Sequence, residues 1–99
     1  MLKRHLADLR LLDNTEIFVG DFRAAQPITS SVLFCDCLHD DDEIRLNAPA
    51  LRPWLQRGSI LACHDVGGVT SGIDLLRKQV PLGHGLVIDS LYVAEVSNL

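Results

Sequence analysis

Leu2, Leu6, Leu9 and Leu12 recur at helical spacing with Lys3, Arg4, Asp8 and Arg10 between them, which predicts an amphipathic helix closing near Asp13 and Asn14. Its leucine stripe needs a sheet to cover. Thr15 to Val19 is a β-branched and aromatic run closed by Gly20 and Asp21, and it predicts a strand ending at a turn. Arg23 to Ser31 contains Pro27 and small polar residues, which predicts a helical turn followed by a loop.

From Ser31 through Phe34 to Cys37 the chain is apolar except at Asp36, as expected of a strand covered on both faces. Asp40, Asp41, Asp42 and Glu43 then cluster where a helix would begin, and carboxylates in a first turn are favoured by the helix dipole. The helix is expected to run through Ile44, Leu51, Trp54 and Leu55 to a stop at Gly58, kinked or divided by Pro49 and Pro53. Ser59 to Cys63 predicts the next buried strand, ending at His64 and Asp65, with Gly67 and Gly68 as a flexible turn. Thr70 or Ser71 is placed to cap a helix through Ile73, Leu75, Leu76 and Val80, which Pro81 terminates. Leu86 to Val96 predicts one bulged strand or two, interrupted at Asp89 and Ser90.

Strands alternating with helices imply an α/β fold with parallel pairing and right-handed crossovers. The 99 residues show no repeat or linker, so residues 1–99 are expected to form a single domain. A net charge of −4 and no basic run beyond Lys3 and Arg4 exclude the electrostatic footprint of a nucleic-acid or anionic-lipid binder. No apolar stretch approaches the roughly 20 residues needed to span a bilayer, and the first residues lack a secretory pattern, which predicts a cytoplasmic protein. The three cysteines, Cys35, Cys37 and Cys63, lack metal-site spacing and fall in apolar strands, so buried free thiols are expected. Cys35 and Cys37 share one face of their strand, and Asp36 takes the other.

In open parallel sheets ligands bind beyond the carboxyl ends of the strands. Three such ends read Gly20-Asp21-Phe22, Asp36-Cys37-Leu38-His39 and His64-Asp65. Asp36 is the sharpest candidate, because a carboxylate buried in an apolar strand is costly unless it is paired or bound to a cation. Each of these residues also has a structural reading: Asp36 as a cap on a neighbouring loop, His64 and Asp65 bonded to the glycine turn, and His39 opening the acidic helix. Carboxylates and histidines at adjacent strand ends suit Mg²⁺, and equally suit proton transfer from a substrate hydroxyl to a histidine. His5 and His84 read as surface residues.

The stretch SVLFCDCLHDDDEIRLNAPALRPWLQRGSILACHDVGG resembles the second half of class I S-adenosylmethionine-dependent methyltransferases, in the branch with Asp-x-x-His and His-Asp strand ends. Asp36 to His39 and His64-Asp65 match those ends, and Arg57-Gly58-Ser59 takes the place of the family's Pro-Gly-Gly turn. NTEIFVGDF resembles the family's third strand with its Gly-Asp turn beside the adenine. The resemblance implies a partial Rossmann-like methyltransferase sheet, mostly parallel with flanking helices, lacking the family's first two strands. The glycine-rich cofactor loop and the acidic residue that ends the second strand have no counterpart. In the family's sheet order those missing strands separate the Glu16 strand from the Val32 strand. The resemblance therefore leaves either direct pairing of these two strands or open sheet edges through which copies associate.

By the same resemblance, Gly20, Asp21, Phe22 and Asp36 contact S-adenosylmethionine, and His64, Asp65 and His39 carry catalysis. Asp36 and Asp65 are the candidate ligands for a metal such as Mg²⁺. The implied function is a truncated methyltransferase, descended from an enzyme of O-methyl transfer to a small-molecule acceptor and itself weak or inactive. Two other readings compete with it. One is a non-catalytic remnant acting through self-association or partner binding, and the other is a small metal-binding or hydrolytic α/β protein.

Overall fold

The computed structural model describes residues 15–67 and 70–98. The helix expected over Leu2 to Leu12, and His5 within it, lie outside the described residues, as do Gly68 and the side chain of Thr70.

Four strands form one sheet: β1 (Ser30–Cys35), β2 (Leu55–His64), β3 (Leu82–Ile88) and β4 (Leu91–Val96). Their order is β1-β2-β4-β3. β1 runs parallel to β2, while β4 is antiparallel to both β2 and β3, so three strands point one way and β4 is reversed. Helix α1 (Asp41–Leu51) connects β1 to β2, and α2 (Thr70–Gln79) follows β2.

Asp40 begins α1 because its carboxylate accepts from the Glu43 N–H at 2.8 Å, leaving Asp41, Asp42 and Glu43 at the positive end of the helix dipole. Pro53 then ends it. The helix tightens into a 3₁₀ turn over Arg52–Trp54, and the chain is extended by Leu55. The helix therefore does not continue to Gly58, contrary to the sequence expectation, and Leu55 to Gly58 already belong to β2.

Gly58 is the pivot of a bulge. Ser30 pairs with Leu55 and Val32 with Ile60, so three extra residues accumulate on β2, and Gly58 absorbs them at φ 89. Ser59 fastens the bulge: its buried hydroxyl donates to the Ser30 carbonyl at 2.6 Å and accepts from the Gln56 N–H at 2.9 Å.

Both helices lie on one face of the sheet. Ile44, Ala48 and Leu51 of α1 and Leu76 of α2 close over Leu61, Cys63, Tyr92 and Ala94 in a single apolar cluster. Cys35 and Cys63 are buried and unbridged, face to face in register, and Cys37 is half-buried, in line with the expected thiols. Hydrogen bonding to Cys35, together with burial, pushes the Cys37 thiol well above its ordinary range.

One expected strand is missing. Thr15 to Val19 is irregular, and Phe18 and Val19 are exposed. Among the described strands β1 has β2 alone as neighbour, so the Glu16 segment has not moved in to pair with it. Strand propensity alone does not place such a segment in a ladder.

Candidate active site

The β1–β2 ladder closes at the pair Cys35 and Cys63, which places Asp36 and His64 next to each other on the rim. The loop after β1 is pinned at several points. Leu38 is fully buried, its carbonyl accepts from the Gly67 N–H at 2.9 Å, and Asn47 donates to the Cys37 carbonyl at 2.8 Å. Gly67 fits closely there: a Cβ would lie 3.0 Å from Asp40 Cα and 3.1 Å from the His39 carbonyl oxygen, so the backbone would have to give by a few tenths of an ångström.

The rim side chains form a continuous polar relay. His39 Nε2 meets Asp36 Oδ1 at 2.7 Å, and His39 Nδ1 meets Glu43 Oε1 at 3.0 Å. His64 Nδ1 lies 3.4 Å from the same Asp36 oxygen and 3.3 Å from Asp65 Oδ2. Its other nitrogen, Nε2, is 3.1 Å from the Ser90 hydroxyl. Asp65 reaches this position from a left-handed backbone conformation, φ 52, which aspartate tolerates better than most residues, and its N–H donates to the Ser90 carbonyl at 2.9 Å.

Asp36 is exposed rather than buried, so the cost of a carboxylate inside a strand does not arise. Its hydrogen bond with His39 and, after that, the one with His64 hold its carboxyl below the ordinary value. The same contact with Asp36, supported by Glu43, raises His39 above the usual imidazole range. His39 has both ring nitrogens on carboxylates, Nε2 on Asp36 and Nδ1 on Glu43. His64 is the histidine that turns a nitrogen toward a hydroxyl.

Asp21 and Phe22 separate in role. Asp21 caps a 3₁₀ turn over Phe22–Ala24, and its carboxylate grips Arg23, whose hydrogen bonds lower it to about 2. Phe22 instead lines an apolar pocket of about 260 Å³ against the open edge of β1, together with Leu33, Phe34, Leu51, Trp54 and Asp36. Gly20 and Asp21 lie outside that lining. Among the described residues no three His, Cys, Asp or Glu side chains converge as metal ligands, and Asp36 and Asp65 both turn to His64. His84 is exposed on β3, away from the rim.

Glu43 and Ser90 join the site without having been singled out from the sequence. Glu43 had a signal, since it stands four residues after His39, within reach of it at a helix start. Ser90 had none, because its approach to His64 depends on β4 folding back antiparallel beside β2.

A mixed α/β sheet of order β1-β2-β4-β3, with three like-directed strands and one reversed, matches the C-terminal part of a methyltransferase fold. The structure of a mitomycin 7-O-methyltransferase carries it: TM-score 0.64 at 20% identity, covering 98% of this chain. The chain spans 38% of that neighbour's length. No family model matches the sequence, and no curated protein matches it. Among the described residues no helix is long and apolar enough to cross a membrane.

Proposed function

We infer that the rim is the acceptor side of an S-adenosylmethionine-dependent O-methyl-transfer site for a small hydroxylated molecule. The observation that carries this reading is the Ser90 hydroxyl at 3.1 Å from His64 Nε2, which marks where an acceptor hydroxyl would sit. Asp36 and Asp65 behind Nδ1 orient the ring and stabilise the imidazolium that forms. The acceptor hydroxyl replaces that of Ser90, gives its proton to His64 Nε2 and is left as the attacking oxygen.

S-adenosylmethionine, when bound, supplies an electrophilic methyl group on sulfonium sulfur. Phe22 and Phe34 offer apolar ring surface for its planar base, and Asp36 offers an acceptor for its hydroxyl or amino hydrogens. At about 260 Å³ the pocket is smaller than the roughly 300–1,000 Å³ of ordinary ligand sites, and it fits part of a nucleoside cofactor. The described residues therefore support positioning of the acceptor more fully than capture of the cofactor, and the chain alone is expected to turn over slowly. Asp36 and Asp65 have His64 as their shared partner, which favours proton transfer over Mg²⁺ coordination.

Titration with S-adenosylmethionine, followed by amide NMR, tests the reading. Millimolar binding with shifts at Phe22, Phe34 and Asp36 is expected. Absence of shifts at those residues would overturn the cofactor assignment, and micromolar affinity would overturn the incomplete-site reading.

A second reading, ester hydrolysis with Ser90 as nucleophile, draws on the same Ser90–His64–Asp36 relay. The likeness of the fold to that of an O-methyltransferase ranks it second. Labelling of Ser90 by a fluorophosphonate would move it to first.

A further inference from the structure

The cover of the sheet is one-sided. Alternation along the paired registers places Val32 and Phe34 of β1, Ala62 of β2, Val93 of β4, and Leu86 and Ile88 of β3 on the face away from the helices. On the outer strands these residues are 64% (Val32), 63% (Phe34), 60% (Leu86) and 55% (Ile88) exposed. Among the described residues nothing packs over them. Every position across the middle of this face is apolar, and the polar groups His64 and Glu95 stand at its two ends. That arrangement, an apolar centre with a polar rim, is the anatomy of a protein interface.

Four strands about 4.8 Å apart and about six residues long, at roughly 3.3 Å per residue, outline an area of roughly 19 by 20 Å. Two such faces pressed together, with their rim side chains, remove on the order of 1,000 Å² from water, the lower bound for a specific interface. The patch on one copy, roughly 19 by 20 Å, is the size of the largest apolar patch on a typical monomer, and patches of that size are often functional.

We propose that a second copy of this chain covers this face, giving a two-fold dimer in which two sheets stack as an aligned sandwich with both helix layers outside. Sheets stacked this way sit about 10 Å apart and interdigitate side chains from both inner faces. An identical face is self-complementary by symmetry, and a flat, wholly apolar centre places no unpaired charge opposite itself. The contact is made by the face, and its border lies beside His64 and the Phe34 wall of the pocket.

Sedimentation equilibrium of the full chain, alone and as Phe34→Lys and Leu86→Lys, tests this. A dimer with micromolar dissociation constant is expected, weakened at least about tenfold by either substitution, since a lysine buried in the contact costs more than 1.4 kcal/mol. Phe34 and Leu86 lie on opposite edge strands, so an assembly through one sheet edge would respond to one variant and not the other. That result would overturn the proposal. So would a wild-type monomer at hundreds of micromolar, or a monomer that dimerises only after residues 1–14 are deleted, which would assign the cover to that segment. Both sites are exposed, and far-ultraviolet circular dichroism reports whether each variant is folded. A variant that fails to fold is replaced by Val32→Lys or Ile88→Lys under the same criteria.

Discussion

Ser59→Ala isolates the bond that sets where β2 ends. The hydroxyl is 1% exposed, donates to the Ser30 carbonyl at 2.6 Å and accepts from the Gln56 N–H at 2.9 Å. Removing it strands one acceptor and one donor at the root of the sheet. Each such group costs about 1–3 kcal/mol when water cannot replace the partner. Ser30 and Gln56 lie near the surface, so the low end applies to both, about 2 kcal/mol together. Against the roughly 5–15 kcal/mol of a small domain that is a substantial fraction.

With a urea slope of about 1–2 kcal/mol/M for a chain of this size, the unfolding midpoint is expected to fall by roughly 1–2 M. A second consequence concerns the rim. The bulge fixes the register of Ile60 to His64 against β1, and a slip of one residue would turn His64 to the helix face. The His64 ring signals in the variant should therefore broaden or double while the domain remains folded. A midpoint within 0.3 M of wild type, which at that slope is below about 0.5 kcal/mol, with an unchanged His64 spectrum would show that the hydroxyl does not hold the bulge.

Three further substitutions probe the rim. Asp36→Asn removes the contact that raises His39 and lowers Asp36. The lowered carboxyl stabilises above its ordinary value of 3.8 and loses that contribution as pH falls through its folded pKa. The raised imidazole stabilises below 6.5 and loses its contribution as pH rises through its folded pKa. The stability gap between wild type and Asp36→Asn should thus be widest between about pH 4 and 6.5, with the His39 titration moved down by NMR; a gap independent of pH would count against the pair. Asp40→Ala should cost about 1 kcal/mol in thermal unfolding by uncapping α1, and Asp40→Ser should restore most of it. Gly67→Ala should cost about 1–3 kcal/mol and shift the His39 ring resonances, because the new Cβ meets backbone atoms of residues 39 and 40 that have no side-chain freedom to yield.

The sheet was legible wherever apolar runs ended at turn chemistry. Ser59 to Cys63 lies within β2 and the break at Asp89 and Ser90 falls between β3 and β4, whereas the strand expected from Ser31 to Cys37 ends at Cys35 and the one expected from Leu86 begins at Leu82; the acidic start of α1 was placed to within a residue. The beginning of β2 was not legible, because Leu55 to Arg57 continue the helical spacing of Leu51 and only Pro53, acting on the backbone, breaks it. Nor was the fate of Thr15 to Val19, whose strand propensity is sound but whose pairing depends on neighbours that the pattern of five residues cannot specify. Of the site, Asp36, His39, His64 and Asp65 come together as their strand ends implied, whereas Gly20 and Asp21 stand apart from the pocket that Phe22 lines.

The unbroken apolarity of β1 signals a strand buried on both faces, yet in the structure Leu33 and Cys35 turn to the helices while Val32 and Phe34 remain in water. β3 repeats the disagreement at Leu86 and Ile88. A half-solvated antiparallel pair would alternate apolar with polar residues, as one-faced sheets ordinarily do. These strands do not alternate, on either side of the sheet. The composition of the open face is therefore that of a covered surface. The second copy proposed to cover it would border the His64 rim, since both are carried on the same sheet and Phe34 also lines the Asp36 pocket.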